Sequence, residues 1–300
     1  MFKHASIYKI TPDWFTGLEQ IEAQLTKGAF VDCAPTQRQS SGWIPPREAN
    51  GALAESVQAQ LILKLRTDSR KVPGDTLKKR VDELAAQVEN ETGRKPGKKH
   101  RAELKEQAEL ELLPLAFVKT STTLVWIDRV NRLLVIDTAS ASRAEDVVSC
   151  LVKALDGFAV SLVQTQHSPT TAMTGWLHSG EPPACFTVDR ECELRSLDEM
   201  KSVIRYSRLT LDTDEVKAHI TSGKVARRLA MTWEGRLSFV LTDNCVLRKL
   251  AFLAVVFEGG KQEGADAFDA DVAIMTGELE RLIPDLIDAL GGELVLEQAA

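Results

Sequence analysis

The feature that most constrains the fold is a run of three strand-like segments between residues 224 and 257, separated by two short turn sequences. The run reads KVARRLAMTWEGRLSFVLTDNCVLRKLAFLAVVF, and its turn residues are Glu234-Gly235 and Asp243-Asn244. Gly and Asn between apolar, β-branched segments are typical of turns in antiparallel hairpins. The sequence therefore predicts three consecutive antiparallel strands, and hence at least one antiparallel sheet.

Strand-like and helix-like patterns are mixed along the rest of the chain, and this mixture predicts an α+β fold. Strand patterns cover residues 2–10, 59–67, 117–128, 132–140, 158–165, 185–194 and 202–211. Helix patterns cover residues 14–25, 142–155 with Ser142 as the N-cap, 213–219 with Thr213 as the N-cap, and 279–290. Residues 40–48, SSGWIPPRE, carry one glycine and two prolines, which predict an ordered loop around Trp43.

A charged helical hairpin is predicted between residues 74 and 114. Its first helix has one apolar stripe, and its second helix starts near Lys98 and ends before Pro114. The sequence GRKPGKKHRAELK at the break between the helices is densely basic, with Arg94, Lys95, Lys98, Lys99 and Arg101. A solvated loop and a surface that meets polyanions would both explain these cations, so their role stays open at this point.

These changes of pattern divide the chain into four segments. Residues 1–73 and 115–166 are the two parts of a central α/β region, and residues 74–114 are the helical hairpin inserted in it. Residues 167–300 form a C-terminal α+β region, which begins at a short helix and a Pro-rich loop in SPTTAMTGWLHSGEPP.

Composition excludes several classes of protein. The formal net charge is -6 and the pI is about 5.5, which argues against a uniformly basic nucleic-acid binder. Nucleic acid remains a possible partner if the cations gather on one face. The five cysteines form no C-x-x-C pair, so we expect reduced thiols, no zinc and no other cofactor. No segment has the length and apolarity of a signal peptide or a membrane span, so we expect a soluble, cytoplasmic protein.

Common catalytic motifs are absent from the sequence: it has no phosphate loop, no G-x-S-x-G elbow and no H-E-x-x-H helix. One acidic constellation remains, in GADAFDADVAIMTGELE. If residues 269–271 are a strand, Asp269 and Asp271 share one face, and Glu278 follows in the first turn of a helix. Three carboxylates could hold Mg²⁺ for phosphodiester cleavage, so a metal-dependent nuclease is the alternative function. A polar strand edge, with Glu278 at a helix N-terminus, explains the same residues.

Five stretches, in the same order and at similar spacing, resemble segments of the RdgC family of bacterial recombination-associated proteins. They are GWIPP, LLPLAF, WIDRVNRLLVIDTASASRAED, ITSGKVARRLAMTW and FDADVAIMTGELERLI. The resemblance extends from residue 42 to residue 292. No single stretch is a mechanistic motif, and the specificity comes from the collinear order of all five.

The resemblance implies a DNA-binding protein without enzymatic activity. Members of this family look like horseshoe-shaped, multi-domain subunits that pair through two interfaces into a closed ring dimer. Duplex DNA would pass through a positively lined hole and would be bound without sequence specificity; we expect single strands to bind as well. The implied role is nucleoid-associated: it restrains a RecA-type recombinase in homologous recombination and assists replication. A ring with cations inside and carboxylates outside would reconcile DNA binding with a net charge of -6.

The resemblance also suggests DNA-contacting residues, because Lys224, Arg228, Arg208, Lys78 and Arg248 match positions that are basic in the family. Lys224 and Arg228 are an even number of residues apart, so on a regular strand they share a face. A solvated sheet face would explain this pair equally, and Lys78 has the alternative of an ordinary helix-surface lysine. Arg248 and Lys249 are adjacent in the sequence, so we expect only one of them to face DNA.

Phe117 matches a phenylalanine that helps to close one subunit interface in the family, whereas Leu115 replaces a family arginine. The substitution keeps an apolar contact and removes a polar one. Phe117 could equally be a core residue of the strand that follows. A third function is also consistent with the sequence, namely a protein-interaction scaffold that uses the helical hairpin and does not touch DNA.

Overall fold

The computed structural model describes residues 1–12, 14, 16–47, 51–258 and 267–294, and these residues form a mixed α+β fold with two antiparallel sheets. The helices are α1 Leu18–Thr26, α2 Gly74–Thr92, α3 Lys98–Leu112, α4 Ala141–Ala154, α5 Pro169–Ser179, α6 Asp214–Thr221 and α7 Ala267–Ala289. The strands are β1 Ser6–Ile10, β2 Gln39–Ile44, β3 Ala54–Val57, β4 Gln60–Arg70, β5 Val118–Asp128, β6 Leu133–Ile136, β7 Val160–Leu162, β8 Phe186–Ser196, β9 Val203–Ser207, β10 Lys224–Trp233, β11 Leu237–Thr242 and β12 Leu247–Phe252. The predicted α+β class is confirmed.

The first sheet has seven strands. Six are in the order β2-β4-β5-β6-β1-β7, and the seventh, β3, pairs with residues 60–63 of β4, next to the part of β4 that pairs with β2. Its central strands are apolar at consecutive positions because both faces are buried. On β5, for example, Ile127 packs on the side of α1 and α4, whereas Trp126 packs on the side of α7 and the second sheet. The predicted hairpin between residues 117 and 140 is confirmed as the β5–β6 pair.

The helical hairpin, α2 and α3, is inserted between β4 and β5. These two strands pair without a break from Leu61↔Ile127 to Arg70↔Val118, so the hairpin leaves the sheet at the end of this ladder. Its apolar stripes meet in a separate small cluster of Leu84, Ala85, Leu104 and Ala108. The two helices are confirmed, and α3 begins at the predicted Lys98 and ends before Pro114, because apolar periodicity is local information.

The second sheet has five strands in the order β12-β11-β10-β8-β9. The three strands predicted from the opening run are confirmed as β10, β11 and β12. Apolar residues of this sheet pack against α5, α6 and α7, and Phe2 from the chain's first segment joins the same core. An isolated bridge between Ala5 and Leu247 links that segment to β12.

Two local predictions were wrong. Residues 39–44 are not a loop but the strand β2, in which a Cβ at Gly42 would lie 2.4 Å from the Phe30 Cα, so only glycine allows this close approach. The N-cap of α4 is Ser140 and not Ser142, because the Ser140 side chain accepts a hydrogen bond from the Arg143 amide. The Thr213 cap of α6 is confirmed by the same kind of bond to Val216.

Within the described residues, no helix has both the length and the apolar character that crossing a bilayer would require.

Candidate nucleic-acid interface

The second sheet has one face turned toward the helices and one face turned away from them. On β8, Cys192 and Leu194 are buried against the helices, so the alternating residue Glu193 lies on the opposite face. Register pairs Glu193 with Arg205 on β9 and with Arg228 on β10. Residues paired across antiparallel strands point to the same side, so three neighbouring strands place a carboxylate between two arginines.

The side-chain geometry confirms this arrangement. The Arg205 Nε donates a hydrogen bond of 2.8 Å to Oε2 of Glu193, and Nη1 of Arg228 donates one of 3.4 Å to the same oxygen. The Glu193 side chain is only 14% exposed, whereas that of Arg205 is 72% exposed. The carboxylate is therefore at the base of the cluster, and the Arg205 guanidinium is open to solvent.

Further cations lie on the same face of this sheet. Arg195 is two residues after Glu193 on β8, so both side chains point to the same face. Arg248 on β12 pairs with Val240, and the residues on either side of Val240 point into the core, so Val240 and Arg248 point to the charged side. The Lys249 Nζ donates to both carboxylate oxygens of Glu191, at 2.7 and 2.8 Å. We call this set of charged residues the charged face; its members are Arg195, Arg205, Arg228, Arg248, Lys249, Asp189, Glu191 and Glu193. Five cations against three carboxylates give this face an excess of positive charge in an acidic chain.

Lys224 does not share this face, so the inference from its spacing was wrong. A β-bulge lies between Ala226 and Arg228, where β10 has one residue more than β8. The extra residue reverses the alternation, since Lys224 pairs with the buried Ser196 whereas Arg228 pairs with Glu193. Lys224 therefore points to the helix side of the sheet, where its Nζ donates to the Ser222 hydroxyl at 3.4 Å.

A second irregularity changes the prediction for Arg248 and Lys249. Adjacent residues on a regular strand point to opposite faces, but the pairing of β11 with β12 shifts here and Lys249 has a φ of +52°. Arg248 lies opposite Val240, and Lys249 reaches Glu191. Both cations consequently belong to the charged face, contrary to the expectation that only one would.

The other two predicted contact residues lie at the end of β9 and on the helical hairpin. Arg208 directly follows β9, is exposed and has a φ of +60°. Lys78 is exposed on α2, in the hairpin inserted in the first sheet. The structure thus places Arg228 and Arg248 on the charged face, Lys224 on the opposite face of the sheet and Lys78 on the hairpin. Arg208 borders the charged face, because Ser207, the residue before it, pairs with Glu191.

The basic run of the hairpin is exposed on and around the break between α2 and α3. Gly93 ends α2 with a φ of +69°, the left-handed conformation that glycine adopts without strain. Arg101 is paired with Asp82 at 2.7 Å. Arg94, Lys95, Lys98 and Lys99 have no ion-pair partner among the described residues.

The acidic constellation is not a metal site. Asp269 and Asp271 lie on α7 and not on a strand, so they are about 200° apart around the helix and do not share a face. Asp269 is paired with Arg47. Glu278 is in the middle of the helix, where its side chain is 7% exposed and receives hydrogen bonds from Arg236 and Arg281. The described ranges contain no group of three His, Cys, Asp or Glu residues that could hold a metal ion.

The charges around Glu278 explain why it stays ionised. Burial alone would raise the pKa of this carboxyl, but the hydrogen bonds and positive charges of Arg236 and Arg281 outweigh it and lower the pKa below its ordinary value. A carboxylate already neutralised by two guanidinium groups has no free oxygen for a metal ion. The nuclease mechanism built on Asp269, Asp271 and Glu278 was therefore wrong.

Phe117 is 96% exposed, so the alternative in which it is a core residue of the following strand was wrong. It directly precedes β5 and lies close in sequence to two further exposed apolar residues, Leu115 and Val118. Leu110 on α3 is exposed as well. Four exposed apolar residues thus lie within nine positions of the chain, between Leu110 and Val118.

Sequence reasoning missed Arg205, Glu193 and Glu191. The alternation of charge in the segment DRECELR was a usable signal, because Asp189, Glu191, Glu193 and Arg195 recur at every second residue around the buried Cys192. The pairing of this row with Arg205 and Arg228 could not be read from the sequence, since it depends on which strands become neighbours.

Comparisons with known proteins give a consistent result. A family model described as "Putative exonuclease, RdgC" matches residues 1–293. A protein of Dechloromonas aromatica (strain RCB) is 40% identical over 300 residues, which is 98% of each chain. One from Herminiimonas arsenicoxydans is 42% identical over 295 residues, covering 97% of this chain and 98% of the relative. One from Bordetella pertussis is 40% identical over the same shares. Each of the three carries the name "Recombination-associated protein RdgC".

Proposed function

The chain belongs to the RdgC family of recombination-associated proteins, and from this premise we propose that it is a sequence-nonspecific DNA-binding protein without enzymatic activity. The observation that carries the proposal is the charged face. Its cations come from four strands, β8, β9, β10 and β12, and their guanidinium and ammonium groups suit phosphate oxygens. Contacts to phosphates carry no base information, so binding would be independent of sequence.

Concentrating cations on one face also explains how an acidic chain could bind a polyanion. The carboxylates outnumber the cations in the whole molecule, 43 to 37, but not on the charged face. The local field at a binding surface matters more for association than the total charge does. Each cation that neutralises a phosphate would release counterions, which makes the affinity depend on salt.

We further propose that the protein acts as a ring-shaped homodimer that encloses duplex DNA and so restrains a RecA-type recombinase. Phe117 and its apolar neighbours would form one of the two interfaces, with Leu115 supplying an apolar contact where relatives would have a polar one. DNA held in an enclosed passage is not free for a recombinase filament. The exposed cations of the hairpin, Arg94 to Lys99, would capture DNA before it is enclosed.

The DNA-binding proposal is tested by titrating a fluorescein-labelled duplex of mixed sequence at several KCl concentrations. We expect log Kd to rise linearly with log [KCl], by about 0.9 for each phosphate contacted. The double variant Arg205→Glu/Arg228→Glu should weaken binding at least about tenfold and flatten this dependence. The control variant Lys27→Glu/Lys153→Glu makes the same change in net charge at two exposed residues in the part of the molecule built on the first sheet. It should weaken binding less. Affinity that is insensitive to salt would refute the proposal.

The family model's description makes nuclease activity a necessary control. Supercoiled and single-stranded DNA should remain intact after incubation with the protein and Mg²⁺ or Mn²⁺. Cleavage activity that co-purifies with the protein, on either substrate, would replace a binding protein by an enzyme.

A further inference from the structure

The two carboxylates at the centre of the charged face are unusual for a surface that binds DNA. Glu191 and Glu193 lie on β8; Glu193 is paired with cations of the neighbouring strands β9 and β10, and Glu191 with Lys249 of the more distant β12. Glu193 holds Arg205 and Arg228 through a single oxygen, and Glu191 holds Lys249 through both of its oxygens. Three of the five cations of the charged face, Arg205, Arg228 and Lys249, are thus already paired within the free protein.

We propose that Arg205 and Arg228 form a phosphodiester-binding site that Glu193 occupies in the DNA-free protein, so that this carboxylate competes with DNA for the two arginines. The proposal rests on the DNA-binding function proposed above, and it deepens that function by naming an internal competitor. A carboxylate and a phosphodiester each carry one negative charge and present two acceptor oxygens, so the same guanidinium groups serve either.

The position of Glu193 explains why it competes and does not simply move away. Its side chain is largely buried at the base of the cluster, between β9 and β10. When a phosphate takes the exposed side of the arginines, the carboxylate remains next to it. The two negative charges then repel each other in a partly buried setting, where the repulsion is stronger than in water. Glu193 therefore lowers the affinity of this site for DNA.

A purely structural role for Glu193 makes the opposite prediction. If the carboxylate only held Arg205 and Arg228 in the conformation that DNA needs, its loss would disorder both side chains and weaken binding. The direction of the change in affinity consequently separates the two roles, whatever its size.

The test uses the substitution Glu193→Gln, which keeps the side chain's shape and one acceptor oxygen and removes the charge. The probe is the same labelled duplex, titrated over the same range of KCl. We expect Kd to fall about tenfold, equivalent to about 1.4 kcal/mol, and the log-log salt slope to steepen by up to about 0.9, because one arginine charge that Glu193 neutralised now neutralises phosphate. Glu199→Gln is the matched control, because it makes the same charge change at an exposed residue of the adjacent turn. It should change Kd less than Glu193→Gln does.

A double-mutant cycle completes the test. In an Arg205→Gln/Arg228→Gln background, Glu193→Gln should give no gain in affinity, because the site that it frees no longer exists. Glu191→Gln, which frees Lys249, is the second variant, and it decides the matter if Glu193→Gln lowers the unfolding temperature. Unchanged or weaker binding by Glu193→Gln, or by Glu191→Gln if Glu193→Gln is destabilised, would overturn the inference alone, provided that the wild-type protein binds DNA. A wild-type protein that does not bind DNA would overturn the proposed function with it.

Discussion

Glu278 shows how a single residue can be misread from sequence. In the sequence it appeared at the start of a helix, beside two aspartates, as a possible metal ligand. In the structure it is buried in the middle of α7, and Arg236 reaches it from the segment between β10 and β11 with hydrogen bonds of 2.8 and 2.6 Å. Its partner is 42 residues away in the chain, so no local pattern could have identified the pair. Glu278 therefore links a helix to a sheet.

The lowered pKa of Glu278 predicts how stability depends on pH. Because the folded protein favours the ionised form, the ion pair stabilises it fully above the ordinary glutamate value of 4.5, and this contribution is lost as the pH falls through the lower folded pKa. Glu278→Gln should lower the free energy of unfolding at neutral pH by about 1–3 kcal/mol. Urea denaturation should find a smaller difference well below pH 4.5. An equal difference at both pH values would contradict this account.

Contacts on the charged face also depend on residues that are distant in the sequence. The sequence suggested Arg228 and Arg248 as DNA-contacting residues on this face, but it also suggested Lys224, which lies on the opposite face. Spacing predicts a shared face only on a regular strand, and the bulge before Arg228 breaks that regularity. Glu193 was overlooked because a carboxylate reads as unfavourable for DNA binding until its two arginine partners are known.

At the scale of elements, prediction succeeded where the signal is periodic and local. The hairpin helices and the three-strand meander were recognised because apolar stripes and turn residues are written in consecutive positions. The beginning of α7 was misread as a strand, since the alternating letters of FDAD suit either period. The order β12-β11-β10-β8-β9 was not predicted, because strand neighbours are chosen by the packing of the whole core.

The small core of the helical hairpin predicts local instability. Leu104→Ala removes a large share of its only apolar cluster and should cost about 2–5 kcal/mol within the hairpin. Hydrogen exchange should therefore accelerate in α2 and α3 and remain unchanged in the two sheets. Leu110→Ala on the same helix is the control, because Leu110 is exposed. Faster exchange throughout the molecule would show that the hairpin is not an independent unit.

For the whole molecule, the proposal of a ring makes the exposed Phe117 an interface residue. Phe117→Glu should weaken self-association at least about tenfold, since a central aromatic residue commonly contributes about 2 kcal/mol or more to an interface. Sedimentation equilibrium measures this change directly. Val130→Glu, at another exposed apolar residue, should leave association unaltered. A wild-type chain that stays monomeric at every concentration would contradict the ring.

The linkage between the chain's first residues and β12 has a consequence for biosynthesis. Ala5 exchanges hydrogen bonds of 2.8 and 3.0 Å with Leu247, and Phe2 is buried in the core of the second sheet. A ribosome must therefore deliver more than two hundred further amino acids before Ala5 can meet Leu247. Contacts so distant along a polypeptide slow the search for the native state, and a nascent chain would meanwhile expose an apolar N-terminal segment that a chaperone could hold.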